Sequence, residues 1–246
     1  WNDSSMSSPA SFTNGQTING PSDGSHTLYL KATDVAGNET TWSGSYKQDR
    51  SNPVVSGTDS NLNWRTEVVS GVTLSTADDS SGSGLYESRY YFGGNSDSNA
   101  AKTGTPFVDG YRININSQGV NYLHIYAKDN SGRESSIWTG TYKIDTVHPL
   151  ASADKDDGDW YTADIEDITL SATDPISGLS APDSPSGVSM AKYRWDNLDV
   201  SAGIEFSNGD TIKVSTEGDH TLYVQSWDEA GNASTVWSSP YKSDTS

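Results

Sequence analysis

The chain has 246 residues, with 33 acidic and 15 basic side chains, a formal net charge of −18 and no cysteine. The missing cysteines exclude a disulfide scaffold, a thiolate metal site and a cysteine nucleophile. So large an excess of carboxylates repels phosphate backbones and anionic lipid, which disfavours nucleic acid and membrane surfaces as partners and favours cations. Hydrophobic residues make up 32% of the chain and 23 residues are glycine, a supply that suits small domains with thin cores better than one large enzyme. Apolar runs of a few residues fall far below the ~18 that a spanning helix needs, so no membrane insertion is expected in this segment. The opening WNDSSMSSPA has neither the basic nor the apolar region of a targeting peptide.

The first predicted element lies at Gly24–Thr33, where Leu28, Leu30 and Ala32 alternate with Tyr29, Lys31 and Thr33. This period of two marks a half-buried antiparallel strand. Asp34-Val-Ala-Gly37 reads as a type I turn closed by a left-handed glycine, with the aspartate bonding turn amides. Trp42 and Tyr46 then share one face of the returning strand, followed by Lys47, Asp49 and a short joint ending at Pro53. Next come Trp64, the alternating segment Val69–Asp78, an Asp-Ser-Gly-rich loop to Gly84 and a divergent loop from Gly93 to Thr105. Gly119–Arg133 repeats the strand and turn of Gly24–Asn38, and Trp138, Tyr142, Lys143 and Asp145 repeat the landmarks after it. After Pro149 the order starts again with Trp160, Ile165–Asp174, the loop Asp174–Gly178, a second divergent loop from Ser177 to Ser189, and Trp195. Gly218–Asn232 then forms the third hairpin, closed by Trp237, Tyr241, Lys242 and Asp244.

Hairpins that recur every ~95–100 residues with three landmarks in one order define an internal repeat. Trp1 aligns with Trp195 and Phe12 with Phe206, so the chain opens in the middle of a unit. The expected organisation is a partial repeat over 1–52 and complete repeats over 53–148 and 149–246, as an excerpt of a longer repetitive protein. No segment carries apolar residues at helical spacing over two turns, so essentially no helix is predicted. About seven short strands in each unit predict an all-β chain of tandem immunoglobulin-like sandwiches. Short joints ending in proline favour an extended, semi-rigid rod.

The run Gly218-Asp-His-Thr-Leu-Tyr-Val-Gln-Ser-Trp-Asp-Glu-Ala-Gly-Asn232, then Trp237 and Tyr241-Lys242, with Asp174-Pro-Ile-Ser-Gly178 in the first half, resembles the tandem bacterial immunoglobulin-like repeats of large adhesin-type surface and secreted proteins. The resemblance covers the whole chain. It implies an extracellular, secreted or surface-anchored location, often with calcium.

In this topology the strand leaving one unit ends where the next unit presents its first-sheet loop and its last hairpin turn. Asp49 is therefore expected near Asp78, Asp79 and Asp129, and Asp145 near Asp174, Asp228 and Asn232. Converging carboxylates repel one another unless a cation intervenes, and Ca²⁺ takes 6–8 oxygen ligands at ~2.3–2.6 Å. The plainer alternative is that each aspartate only caps its own turn. Arg133 replaces the asparagine of the other two hairpins and weakens the case at the first junction. The acidic run Asp154–Asp159 has displaced EF-hand spacing and reads as a solvated loop.

The recurring Trp42, Trp138 and Trp237, with Tyr46, Tyr142 and Tyr241, read as core. Tyr223 and Trp227 lie on the outward phase of their strand, where a sugar ring could stack, or a neighbouring segment could cover them. His26, Asn121 and His220 occupy one strand-start position and read as side chains that bond back to the preceding loop. No triad, phosphate loop or His metal spacing recurs, so no catalytic residue is assigned and the chain is read as non-enzymatic. The leading expectation is a structural stalk or adhesin segment whose partners are neighbouring repeats, with calcium at the joints. The alternatives are a carbohydrate- or protein-binding adhesion module using the Trp227/Tyr223 face or a divergent loop, and spacer modules of a secreted polysaccharide-active enzyme.

Overall fold

The computed structural model describes residues 1–58, 60–155, 158–162, 165–175, 186–214 and 216–244, and its regular structure is strand apart from two short 3-10 helices. The first 52 residues contribute one antiparallel hairpin, β1 (Gly24–Thr33) and β2 (Glu39–Gln48), with Leu30 opposite Trp42. The second unit holds β3 (Val54–Gly57), β4 (Trp64–Arg65), β5 (Val69–Ala77), β6 (Leu85–Gly93), β7 (Thr105–Pro106), β8 (Tyr111–Ile115), β9 (Gly119–Asp129) and β10 (Trp138–Ile144). These form a three-stranded sheet β3-β5-β8 and a five-stranded sheet β4-β10-β9-β6-β7.

The third unit repeats the set as β11 (Leu150–Ala153), β12 (Trp160–Tyr161), β13 (Ile165–Thr173), β14 (Val188–Trp195), β15 (Ile204–Glu205), β16 (Thr211–Val214), β17 (Gly218–Asp228) and β18 (Trp237–Ser243). Its sheets run β11-β13-β16 and β12-β18-β17-β14-β15, so both units have one topology, that of a β-sandwich. Even the irregularities recur. The pairing of β5 with β8 shifts register between Val69 and Val72, and that of β13 with β16 shifts between Ile165 and Ile168. The residue that turns each bulge has positive φ: Gly71 in one unit and Asp167, whose short polar side chain tolerates that region, in the other.

Alternation along the strands builds the cores. Val72 and Leu74 from the small sheet meet Leu123, Ile125 and Tyr142 from the large one, and Ile168, Leu170, Leu222, Val224 and Tyr241 do the same in the third unit. Trp138 and Trp237 pack against these clusters. Trp138 lies so close to Gly57 that a Cβ there would stand 2.6 Å from its ring. The tyrosines are buried to their hydroxyls, which donate to the carbonyls of Thr58 and Lys155.

The first hairpin departs from the expected core pattern. Trp42 is 50% exposed and Tyr46 46%, because no second sheet covers β1 and β2 among the described residues. Trp1 still packs edge-on against Tyr46, as Trp195 does against Tyr241. The loop from Gly93 to Thr105, expected to be distinctive, is in fact repeated. Asp97 caps the 3-10 helix Ser98–Thr103, and Asp199 caps its counterpart Val200–Ala202. In the other divergent loop, residues 177–185 lie outside the described residues.

Candidate metal centres at the unit junctions

Each hairpin turn is built by the same contacts. The amides of Gly37, Gly132 and Gly231, all at positive φ, donate to the carbonyls of Asp34, Asp129 and Asp228. In each turn one carboxylate oxygen of the aspartate accepts the amide four residues on, from Asn38, Arg133 or Asn232, at 2.8–2.9 Å. The aspartate is thus a turn cap; its second oxygen accepts the side-chain amide of Asn38 or Asn232 in two hairpins and has no hydrogen-bond partner in Asp129.

That second oxygen matters where a full unit follows another. The chain leaving β2 reaches Asp49 and the chain leaving β10 reaches Asp145, beside the loops that precede β6 and β14. Two consecutive amides of each loop then grip two carboxylates. Ser83 donates to Asp49 Oδ2 and Gly84 to Asp78 Oδ2, both at 2.7 Å. Ser186 donates to Asp145 Oδ2 and Gly187 to Asp174 Oδ2, again both at 2.7 Å. Gly84 and Gly187 have positive φ, which lets the loop aim both amides the same way.

The outcome is two equivalent trios, Asp49 with Asp78 and Asp129, and Asp145 with Asp174 and Asp228. In each, one carboxylate oxygen per residue lies within 4.8 Å of the others. Oxygens on a sphere of ~2.4 Å radius are at most ~4.8 Å apart, so the spacing suits a calcium-sized ion. The donor chemistry is all oxygen. Asp78 Oδ1, Asp129 Oδ2 and Asp174 Oδ1 are buried with no hydrogen-bond partner, an arrangement that costs free energy unless a cation or proton satisfies it. The residues therefore fit a hard divalent cation.

The remaining predicted site residues have other places. Asp79 is exposed and stands outside the first trio, because its Oδ1 accepts the Ser81 amide at 2.8 Å. The Ser81 hydroxyl bond and, after it, that amide bond hold its carboxyl below the usual range. The buried amide nitrogen of Asn232 donates to the Asp145 carbonyl at 2.8 Å, to the Val147 carbonyl at 3.2 Å and to Asp228 Oδ2 at 2.8 Å. It ties the turn to the incoming chain. Arg133 makes the same tie at the first junction, donating from Nε to the Asp49 carbonyl (3.1 Å) and from Nη1 to Asn52 Oδ1 (3.3 Å).

Electrostatics separate the two trios. Hydrogen bonds from the Ser83 side chain and amide hold Asp49 below the ordinary carboxylate range, with the Arg133 charge adding to this. Burial pushes Asp174 up, and the charges of Asp145 and Asp228 push it further. Sequence reasoning missed the paired amides of Ser83-Gly84 and Ser186-Gly187. A Ser-Gly step just before a strand was the available signal.

Tyr223 and Trp227 are both half-buried on the outer face of β17, where Tyr223 pairs with Arg194 and Ser238 and Trp227 with Met190. Asp154 accepts the Thr169 amide at 2.8 Å, and Asp156 and Asp157 lie outside the described residues. His26 and Asn121 bond back to the preceding loop at the Ser22 and Ser117 carbonyls, and His220 reaches Thr216. No described helix is long and apolar enough to cross a membrane.

The chain matches no family model and no curated protein. Solved structures do resemble it. The fibronectin(III)-like modules of Clostridium thermocellum CbhA are 16% identical, with 77% of this chain and 95% of that chain covered, at a TM-score of 0.29. The sialic acid binding region of a Streptococcus sanguinis SK1 adhesin is 9% identical over 80% of this chain and 78% of that one, at a TM-score of 0.23.

Proposed function

We propose that this chain is an extracellular stalk or adhesin segment, non-enzymatic, in which calcium at the joints fixes each immunoglobulin-like unit against the next. The observation that carries the reading is the pair of matching trios, each assembled from both sides of a joint and each with a buried carboxylate oxygen lacking a partner. A cation held by Asp49, Asp78 and Asp129, or by Asp145, Asp174 and Asp228, links the end of one unit to a loop and a turn of the next. Asn232 and Arg133 position the incoming chain, and Asp79 caps its own loop. The remaining coordination positions fall to carbonyls and water, as is usual for Ca²⁺. Arrays of this kind grow by adding units that contact only their neighbours, which suits projection of another module from a surface.

Recognition of a glycan or surface protein through Tyr223 and Trp227 has weaker support, since both rings are only half accessible. A spacer role beside a secreted polysaccharide-active enzyme is compatible with the same joints.

Thermal unfolding in EDTA and in millimolar Ca²⁺ tests the reading. Calcium at 100 times its Kd stabilises the folded state by ~2.7 kcal/mol per site, so a clear rise in Tm is expected. Asp145→Ala combined with Asp228→Ala removes the part of the rise owed to the second joint. An unchanged Tm for the parent chain sinks the proposal.

A further inference from the structure

We infer that Arg133 makes the first joint the weaker cation site, so that calcium loads the trio of Asp145, Asp174 and Asp228 before the trio of Asp49, Asp78 and Asp129. The inference rests on the reading that these trios hold calcium, and it concerns how the chain tunes them.

The first joint is more than a cluster of acids. Asp129 is 1% exposed, its Oδ1 is used by the turn, and its Oδ2 has no partner. Arg133 does not supply that partner, because its guanidinium bonds the Asp49 carbonyl and Asn52 instead. Yet the charge stays at the rim, close enough to act on the Asp49 carboxylate. A guanidinium is always protonated, so this charge is permanent. Three carboxylates with one neighbouring cation sum to about −2, with the exposed Asp79, which also interacts with Asp49, lying outside the trio, whereas the second trio, tied by the uncharged Asn232, sums to about −3.

Depth acts in the same direction at one ligand of each trio. Asp145 is 2% exposed and its amide donor Ser186 is buried, while Asp49 is half-buried and its donor Ser83 exposed, so water screens the attraction of Asp49 for an ion more strongly. The other two pairs, Asp78 with Asp174 and Asp129 with Asp228, are equally deep. An exposed unit charge ~6 Å from a divalent ion, screened as in bulk water, changes affinity by about tenfold. The tie itself is common to both joints, and asparagine already fills this turn position as Asn38 and Asn232. Arg133→Asn therefore removes the charge and installs a residue the turn is known to accept.

The test is calorimetric titration of the whole chain with CaCl₂ at low ionic strength and pH 8, where proton competition for the carboxylates is small. Two steps about tenfold apart in Kd are expected. Asp129→Asn removes the weaker step and Asp228→Asn the tighter one. Arg133→Asn tightens the weaker step about tenfold and leaves the tighter step within twofold. Arg133→Gln, which keeps reach without charge, gives the same shift and serves if the asparagine variant fails to fold. Equal affinities in the parent chain, a weaker step unmoved by both substitutions, or loss of the weaker step in Asp228→Asn overturns the inference while the calcium reading stands. Absence of binding in every variant, with Tm unmoved by Ca²⁺, overturns the calcium reading itself.

Discussion

At the second joint Asp145 and its amide donor Ser186 are buried and the chain is tied by the uncharged amide of Asn232; at the first, the equivalent Asp49 is half-buried, Ser83 is exposed and the tie is the exposed guanidinium of Arg133. The backbone scaffold is otherwise shared, down to paired 2.7 Å bonds from two consecutive amides. One turn position and the depth of one loop thus accompany different electrostatics in two equivalent carboxylate clusters. In the shallow copy water shares the polar work. In the deep copy each donor is hard to replace.

The largest contrast is expected in the ties. Asn232→Ala removes a buried amide that serves two carbonyls and a carboxylate, and it costs about 1–3 kcal/mol in EDTA. Arg133→Ala exposes its carbonyl partner to water and costs below ~0.5 kcal/mol. Chemical denaturation of both variants measures the difference. Equal costs break the argument from depth.

A smaller contrast concerns the carboxylates in the absence of cations. Burial and the charges of Asp145 and Asp228 disfavour ionised Asp174, so Asp174→Asn raises stability in EDTA. The Ser83 hydrogen bonds and Arg133 favour ionised Asp49, so Asp49→Asn lowers stability under the same conditions. Both substitutions reduce the Tm gained on adding Ca²⁺. Calorimetric scans with and without the ion check the signs, and equal signs in EDTA would show that the two joints are electrostatically alike.

The fold was largely legible because alternation and recurrence report it twice over. The pattern at Leu28, Leu30 and Ala32 returns at Leu123, Ile125 and Ala127, and a hairpin seen twice is hard to mistake. Membership of the trios was also legible, since aspartates before a joint, after β5 and in the turn recur at matching positions. Three things were not. Asp79 sits next to Asp78 in sequence, and only the Ser81 contacts turn it away. Backbone amides leave no residue-type signature beyond Ser-Gly. The alternatives of turn cap and cation ligand, posed as rivals for Asp129, need not exclude each other, since the turn uses Oδ1 and leaves Oδ2 without a hydrogen-bond partner, and sequence does not resolve single oxygens.

The smallest effect separates the first and third hairpins away from the joints. Asn2 and Asp196 hold the same place: both have positive φ, and their Oδ1 atoms accept the amides of Thr27 and Thr221. Asn2 donates to His26 at 2.9 Å, whereas His220 donates from Nδ1 to Asp196 Oδ2 at 2.8 Å. The hydrogen bond to Asp196 raises the His220 pKa above its ordinary 6.5, with burial opposing it. Burial also opposes the hydrogen bonds from His220 and Thr221, which on balance hold Asp196 below 3.8. The raised histidine contributes stability that is complete below 6.5 and is lost as pH rises through its folded value. The depressed aspartate contributes above 3.8 and loses its share as pH falls through its own folded value. The pair therefore stabilises most between about pH 4 and 6.5. Asp196 is half-exposed, so the amplitude stays below ~1 kcal/mol. Asp196→Asn, which copies the first hairpin, is expected to cost more stability at pH 6 than at pH 8.5. A cost that is the same at both values would mean that the His220 charge adds nothing to this contact.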